Sequence, residues 1–438
     1  MKRWKPVLIG LGALAALAVL LLLIFGSWRY QGPRGLYRRL RIEFAARRAS
    51  AHPAFVPTPL PTPTPSPSPS PTTTKPATPT STPSPAPSPT TTVLQKEPTT
   101  TKRLLPTSTP TSTPTSTATP TPWPPLPPSF SLTGIRHTWQ TWNNCGPATL
   151  AMHLSFFGSS LTQADIRRAL RHHDDDKNVN PHELAAFARE QGFRARVLVN
   201  GDAQRLKRLI VAGVPVLTET WLIPEPNDGM GHYRLIVGYD DATRTWITYD
   251  SYVSEGVKQG EPYRGIRLDY DAFDAWWKVF NRTYLVVYEP ESAARIETIL
   301  GEDVDPRKMW EEAKLRAEAE IAANPEDAFA WFNLGSARTA LGEYEPAAQA
   351  FDQARLLGLP WRMLWYQFTP FKAYYETGRF KEVLALAEAT LQTSDQIEEV
   401  YYWKGMALLA LGREKEAAQA FARAEALNPR YLEVISGE

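Results

Sequence analysis

At 438 residues the chain is long enough for two or three domains, and its net charge of +2 hides an uneven distribution. Residues 1–50 carry ten Lys/Arg against one acid and 51–128 four against one, so 129–438 is net acidic, which argues against nucleic acid as a partner of the folded part. Cys145 is the single cysteine, which excludes an intramolecular disulfide within these residues.

Met1-Lys2-Arg3-Trp4-Lys5 is a short basic head. Val7–Phe25 follows without a charged or polar side chain. As a helix this run measures roughly 28 Å, enough to span a bilayer. No small-x-small cleavage site follows it, so residues 1–28 read as an uncleaved anchor and 29–52 as a basic juxtamembrane segment. Taken alone, the Arg-rich flank would keep the rest of the chain in the cytoplasm. The next stretch argues the other way. Residues 53–128 hold 25 of the 40 prolines, interleaved with Thr and Ser. Such a segment has no core to bury, stays extended, and suits a stalk on a cell surface. Residues 129–438 are therefore expected outside the membrane.

From Ser129 the composition turns globular. A helix is predicted over about 146–157, and Thr162 with Asp165 resembles a capping box for 163–171. Asn180-Pro181-His182-Glu183 opens a helix over 181–191 that Gly192 ends. Strands are read at 193–199, 214–221, 232–240, 245–250, 265–270 and 283–289, with helices at 202–212 and 271–280. Helices first and a mostly antiparallel sheet after them predict an α+β domain over 129–290.

Beyond Pro290 the pattern becomes Ala-rich and periodic. Trp331…Leu341-Gly342…Ala347…Phe351…Ala354 recurs as Tyr401…Leu411-Gly412…Ala417…Phe421…Ala424, with a weaker copy around Gly378. The turn glycines stand 36 and 34 residues apart. This resembles the tetratricopeptide repeat, which implies an all-α solenoid over about 305–436 and a protein or peptide partner on it.

Cys145 sits where an Asn-rich approach meets an apolar run, and a helix dipole there favours the thiolate. A small buried core cysteine is the plainer alternative. A thiol nucleophile needs a base and an orienter. His52 lies in the linker, His153 is about 12 Å along the same helix, His172 and His173 lie in a polar loop, and His182 is on a surface helix. His137 and His232 remain. If a three-residue loop joins 232–239 to 243–250, Tyr239 pairs with Thr243 and Asp250 comes beside His232; a four-residue loop shifts this by one. The run His172-His173-Asp174-Asp175-Asp176 reads as a solvated loop, since consecutive residues rarely converge on one ion. No metal or cofactor is expected.

Gln140…Asn144-Cys145-Gly146-Pro147-Ala148, Gly231-His232…Gly238-Tyr239-Asp240 and Tyr249-Asp250 together resemble the bacteriocin-processing, double-glycine-leader cysteine peptidase family. The resemblance implies a papain-like fold with Cys145 as nucleophile, His232 as general base and acid, and Asp250 as orienter. Gln140 and the Cys145 backbone N–H would form the oxyanion hole. Gln140 stands five residues before the cysteine where six is usual, and Ser251 follows Asp250 where proline is common. The implied function is a membrane-anchored cysteine peptidase acting on a peptide or protein. The alternatives are a catalytically silent scaffold and acyl transfer to an amine, as in transglutaminases or amidases.

Overall fold

The first helix of the folded region is apolar on every side, which suits a helix covered all round. In the computed structural model this helix, α1 (Cys145–Phe156), has ten consecutive buried residues, Gly146–Ser155. It begins one residue earlier than its sequence suggests, at the cysteine itself. The structure describes residues 123–223, 229–255, 257 and 260–431. The expected anchor (1–28), the juxtamembrane segment (29–52) and nearly all of the proline-rich stretch lie outside them. Among the described residues no helix is long and apolar enough to cross a membrane.

Helix α2 (Gln163–Leu170) starts on the capping box read from sequence, Thr162 with Asp165, and α3 (Pro181–Glu190) starts at the expected Asn180, where Glu183 completes a second box. Then come β2 (Arg194–Leu198), α4 (Ala203–Val211), β3 (Val216–Leu222), β4 (Met230–Asp240), β5 (Thr245–Asp250), β6 (Ile266–Asp269), α5 (Tyr270–Lys278) and β7 (Tyr284–Tyr288). A short β1 (Ser129–Ser131), which the sequence pattern does not reveal, joins β4 where β3 has stopped, with Phe130 opposite Tyr239. All pairings are antiparallel, in the order β2-β7-β3-β4-β5-β6.

Alternation along the strands gives the sheet two buried faces. Leu217, Tyr233, Leu235, Val237 and Leu285 pack against Leu150, Leu154 and Leu184 of α1 and α3. Val216, Ile236, Trp246 and Val286 pack on the other side against Leu206, Leu209, Phe273 and Trp277. Ile296 and Leu300 of a further helix, α6 (Ala293–Leu300), join that second layer.

The repeat helices are α7 (Pro306–Ala323), α8 (Ala328–Ala340), α9 (Tyr344–Leu357), α10 (Thr369–Glu376), α11 (Phe380–Thr393), α12 (Glu398–Ala410) and α13 (Glu414–Leu427). Gly342, Gly378 and Gly412 all have φ between 73° and 78°, the left-handed turn that ends the first helix of a pair. The close approach within a pair comes from a second glycine. A Cβ on Gly335 would lie 2.7 Å from the Phe351 ring, and one on Gly405 2.6 Å from Phe421.

The described residues from Leu126 to Tyr431 belong to one compact unit. Trp221, Val279 and Phe280 of the α+β domain share a core with Phe351, Trp365 and Tyr374 of the repeats. On the α1–α3 side the join is polar. Asn428 Nδ2 donates to Glu183 Oε1 and Glu398 Oε1, each at 2.9 Å, and Arg430 pairs with Glu190 at 2.6 Å.

Candidate active site

Asn143, at φ 49°, turns the chain into α1. Asn144 is fully buried and serves as N-cap in position only. Its side chain makes no cap bond but is held by Gln163 Oε1 (2.7 Å) and Arg171 Nη1 (3.3 Å). No acid occupies the first turn, so nothing there neutralises the positive helix end at Cys145.

Strand β5 ends at Asp250, and its ladder with β4 stops at the Arg234–Asp250 pair. The start of α1 meets β4 just beyond that point. The Cys145 thiol lies there within the electrostatic reach of the His232 ring and of the backbone at Tyr233 and Gly146. Burial pushes the thiol up, but the neighbouring His232 and the Tyr233 and Gly146 backbone outweigh it, so its pKa lies below the ordinary value. The residue itself is only partly buried. Thr149 Oγ1 donates to the Tyr233 carbonyl (3.2 Å), which fixes the helix to the strand.

The register that brings Asp250 to His232 differs from the one read in the sequence. The hairpin turns over four residues, 241–244, with Asp240 opposite Thr245. Carried straight through, that ladder would put Asp250 opposite Leu235, on the wrong face. Val237 is an extra residue between the Ile236–Thr248 and Gly238–Ile247 pairs, and this bulge shifts the ladder by one. Asp250 therefore faces Arg234, and His232 is its diagonal neighbour on the same side of the sheet.

His232 Nε2 lies 2.9 Å from Asp250 Oδ1, which leaves Nδ1 as the ring nitrogen not bonded to Asp250. Burial lowers the imidazole's pKa. The Asp250 carboxylate and then Cys145 more than reverse this, and the value is pushed up to about 9. Burial acts on the Asp250 carboxyl in the opposite sense, yet His232 and Arg234 hold it well below the usual range. The two shifts run in the direction that favours a thiolate beside an imidazolium.

Asp250 is braced on every side. Oδ1 also accepts from the N–H groups of Tyr252 (2.7 Å) and Val253 (2.8 Å), and Oδ2 from Arg234 Nε (3.0 Å). His137, the other histidine left open by the sequence, does not bond the thiol. Its Nε2 donates to the Asp250 carbonyl (2.8 Å), its ring stacks on Tyr263 at 3.5 Å, and burial keeps it neutral. Gln140 is joined to the residue after Asp250. Its N–H donates to the Ser251 carbonyl (2.8 Å), and Ser251 Oγ donates to its Oε1 (2.9 Å), which orients the amide. The serine that replaces the usual proline thus has a structural partner.

Arg234, Tyr263 and Ser251 escape a motif reading. Arg234 carried a signal, being a charge two residues from His232 in an otherwise apolar strand and so on its face. The repeats also reach the site. Arg362 Nη1 donates to the Gly229 carbonyl (3.1 Å), and the Tyr366 ring lies so close to Gly231 that a Cβ there would be 2.9 Å away. His153 is enclosed in α1, where burial pushes its pKa down to about 3. Among the described residues no group of His, Cys, Asp and Glu is arranged to hold a metal.

The start of α1, the first residues of β4 and the end of β5 thus bring Cys145, His232 and Asp250 to one place. Residues 132–284 match the Peptidase_C39 like family, and 308–357 and 371–431 match the tetratricopeptide repeat. The chain carries a C39-like peptidase domain followed by tetratricopeptide repeats. Among solved structures it is similar to a C39-like peptidase from Bacillus anthracis, at 14% identity and TM-score 0.29, over 37% of this chain and 98% of that one. It is also similar to the peptidase domain of Streptococcus ComA, a bi-functional ABC transporter involved in quorum sensing, at 16% identity and TM-score 0.28, over 36% and 99%. No curated protein matches.

Proposed function

We propose that the chain is a membrane-anchored cysteine peptidase that hydrolyses peptide bonds and that its repeats hold the protein substrate or a partner. The observation that carries this reading is the His232–Asp250 hydrogen bond at 2.9 Å beside the thiol at the start of α1, with the thiol's pKa lowered and the imidazole's raised. The thiolate adds to the scissile carbonyl, and the His232 imidazolium gives its proton to the leaving amine. His232 then takes a proton from the water that hydrolyses the thioester. Asp250 holds the ring in place and stabilises its charged form. Gln140 Nε2 and the Cys145 N–H serve the developing oxyanion. The apolar run at 7–25 supports a tether, and the proline-rich stretch supports display outside the membrane.

The test is the rate at which a thiol-reactive, peptide-like probe labels Cys145. His232→Ala is expected to slow labelling at pH 7 by roughly a hundredfold or more, within the range for losing a triad base. Equal rates would mean that the imidazole does not activate the thiol, and the reading would fall.

A further inference from the structure

Glu219 lies on β3 directly opposite Tyr233, whose ring packs against Gly146 next to the thiol. Opposed residues share a face, so its side chain is on the α1 side of the sheet with Cys145. It is only 6% exposed, yet no hydrogen bond or ion pair to a described residue engages its carboxyl. Its oxygens are not among the fully enclosed, unpartnered atoms, unlike both oxygens of Glu399, so what little it exposes includes its acidic end. Among the described residues none of Arg171, Arg234 and Arg362 forms an ion pair with it. Arg234 bonds Asp250 and Thr220, Arg171 bonds the carbonyls of Trp142, Asp174 and Asp176 and the side chain of Asn144, and Arg362 bonds the Gly229 carbonyl. An unpartnered buried carboxyl is costly and is driven to its neutral form. Here burial and the Cys145 charge raise its pKa well above the ordinary value.

Aromatic rings flank the group. Trp221 is two residues along the same strand and so on the same face, and its ring lies 6.2 Å from that of Tyr366, edge to face. Tyr366 lies within electrostatic reach of both Glu219 and Cys145. A carboxyl lacking a partner among aromatic faces is the arrangement that takes a cation.

We propose that Glu219 is the specificity-determining residue of this site and receives a cationic group of the substrate, a lysine or arginine side chain or a free N-terminal ammonium, beside Cys145. This deepens the peptidase reading and rests on it. When the cation enters, Glu219 gives up its proton to solvent and the two form a charge-assisted pair, with no bond made or broken in the substrate.

The full chain carrying Cys145→Ala is titrated with a positional-scanning hexapeptide library that compares lysine with norleucine at each position and free with acetylated N-termini. One position is expected to favour the cation at least tenfold in Kd. Adding Glu219→Gln should cut that preference at least fivefold, the amide being nearly isosteric with a protonated carboxyl. Absence of any such position, or a preference that survives Glu219→Gln, overturns the proposal. Should the double variant not fold, calorimetry of the Cys145→Ala chain in two buffers of different ionisation enthalpy decides. Proton release on binding the cationic peptide alone supports the assignment, and equal release with both peptides overturns it. The assay uses a chain without the thiol, so it fails independently of the labelling test for peptidase chemistry.

Discussion

Asp250 has no exposed surface and its carboxylate accepts four hydrogen bonds, two from the backbone, one from Arg234 and one from His232. Such a network is expensive to break, since removing one partner of a buried ion pair typically costs about 3–5 kcal/mol. It also sets the protonation of the whole site. His232's value of about 9 lies above its ordinary 6.5, so its contribution to stability is complete below pH 6.5 and is lost as pH rises through 9. Asp250 runs the other way: its contribution is present above the ordinary carboxylate pKa and is lost only on acidification through a value well below it. Asp250→Asn removes the charge that keeps the imidazole protonated. The thiol then loses its cation, and the pH midpoint for its alkylation by neutral iodoacetamide should move upward. Turnover of a peptide substrate should fall by roughly a hundred- to ten-thousandfold. An unmoved midpoint would detach Asp250 from the thiol's activation.

At the level of elements, local chemistry was legible and register was not. The capping boxes at Thr162 and Asn180 and the turn glycines of the repeats all stand where their residue types require. The pairing of β4 with β5 depends on the number of loop residues and on the Val237 bulge, neither of which has a signature in the residues themselves. The face of Asp250 came out as expected because a three-residue offset at the loop and a one-residue bulge leave an even shift. Strand β1 and helix α6 went unread for another reason. The first is three residues long, and both are defined mainly by what they cover. In the repeats, the pairing of Gly405 with Phe421 predicts a definite cost. Gly405→Ala must displace the ring, and overpacking of this kind destabilises by about 1–3 kcal/mol, to be read as a lower midpoint in urea. A midpoint at or above the wild type would show that the helices part without strain.

Across the whole molecule, the join between the peptidase domain and the last repeat is acidic. Glu183, Asp176, Glu398 and Glu399 are all buried there, and Asn428 bridges only Glu183 and Glu398. Burial, reinforced by Glu398, pushes Glu183 up to about 8. Burial first, then the charges of Glu398, Glu183 and Asp176, raise Glu399 well above its ordinary value. An acid whose pKa is raised by folding favours the folded state at low pH, and that advantage is lost as pH climbs toward the folded value, by about 1.4 kcal/mol per pH unit for each proton. Urea midpoints are therefore expected to fall between pH 5 and pH 8. Glu399→Gln should flatten that decline, because both oxygens of Glu399 lack a partner and the amide loses no bond. A slope identical to wild type would mean that this carboxyl is not the group titrating.

That Cys145 is the single cysteine of these 438 residues also governs how the site meets an oxidant. A thiol with a lowered pKa and partial exposure is the kind that peroxide attacks first. The sulfenic acid so formed finds no second thiol in the chain to condense with. Rescue must come from outside, as a small thiol that forms a mixed disulfide and then releases it. Brief hydrogen peroxide treatment should abolish probe labelling, and dithiothreitol should restore it; prolonged exposure should pass to the sulfinic acid and leave no recovery. Full recovery after long exposure would show that the pocket shields the sulfur beyond the first step.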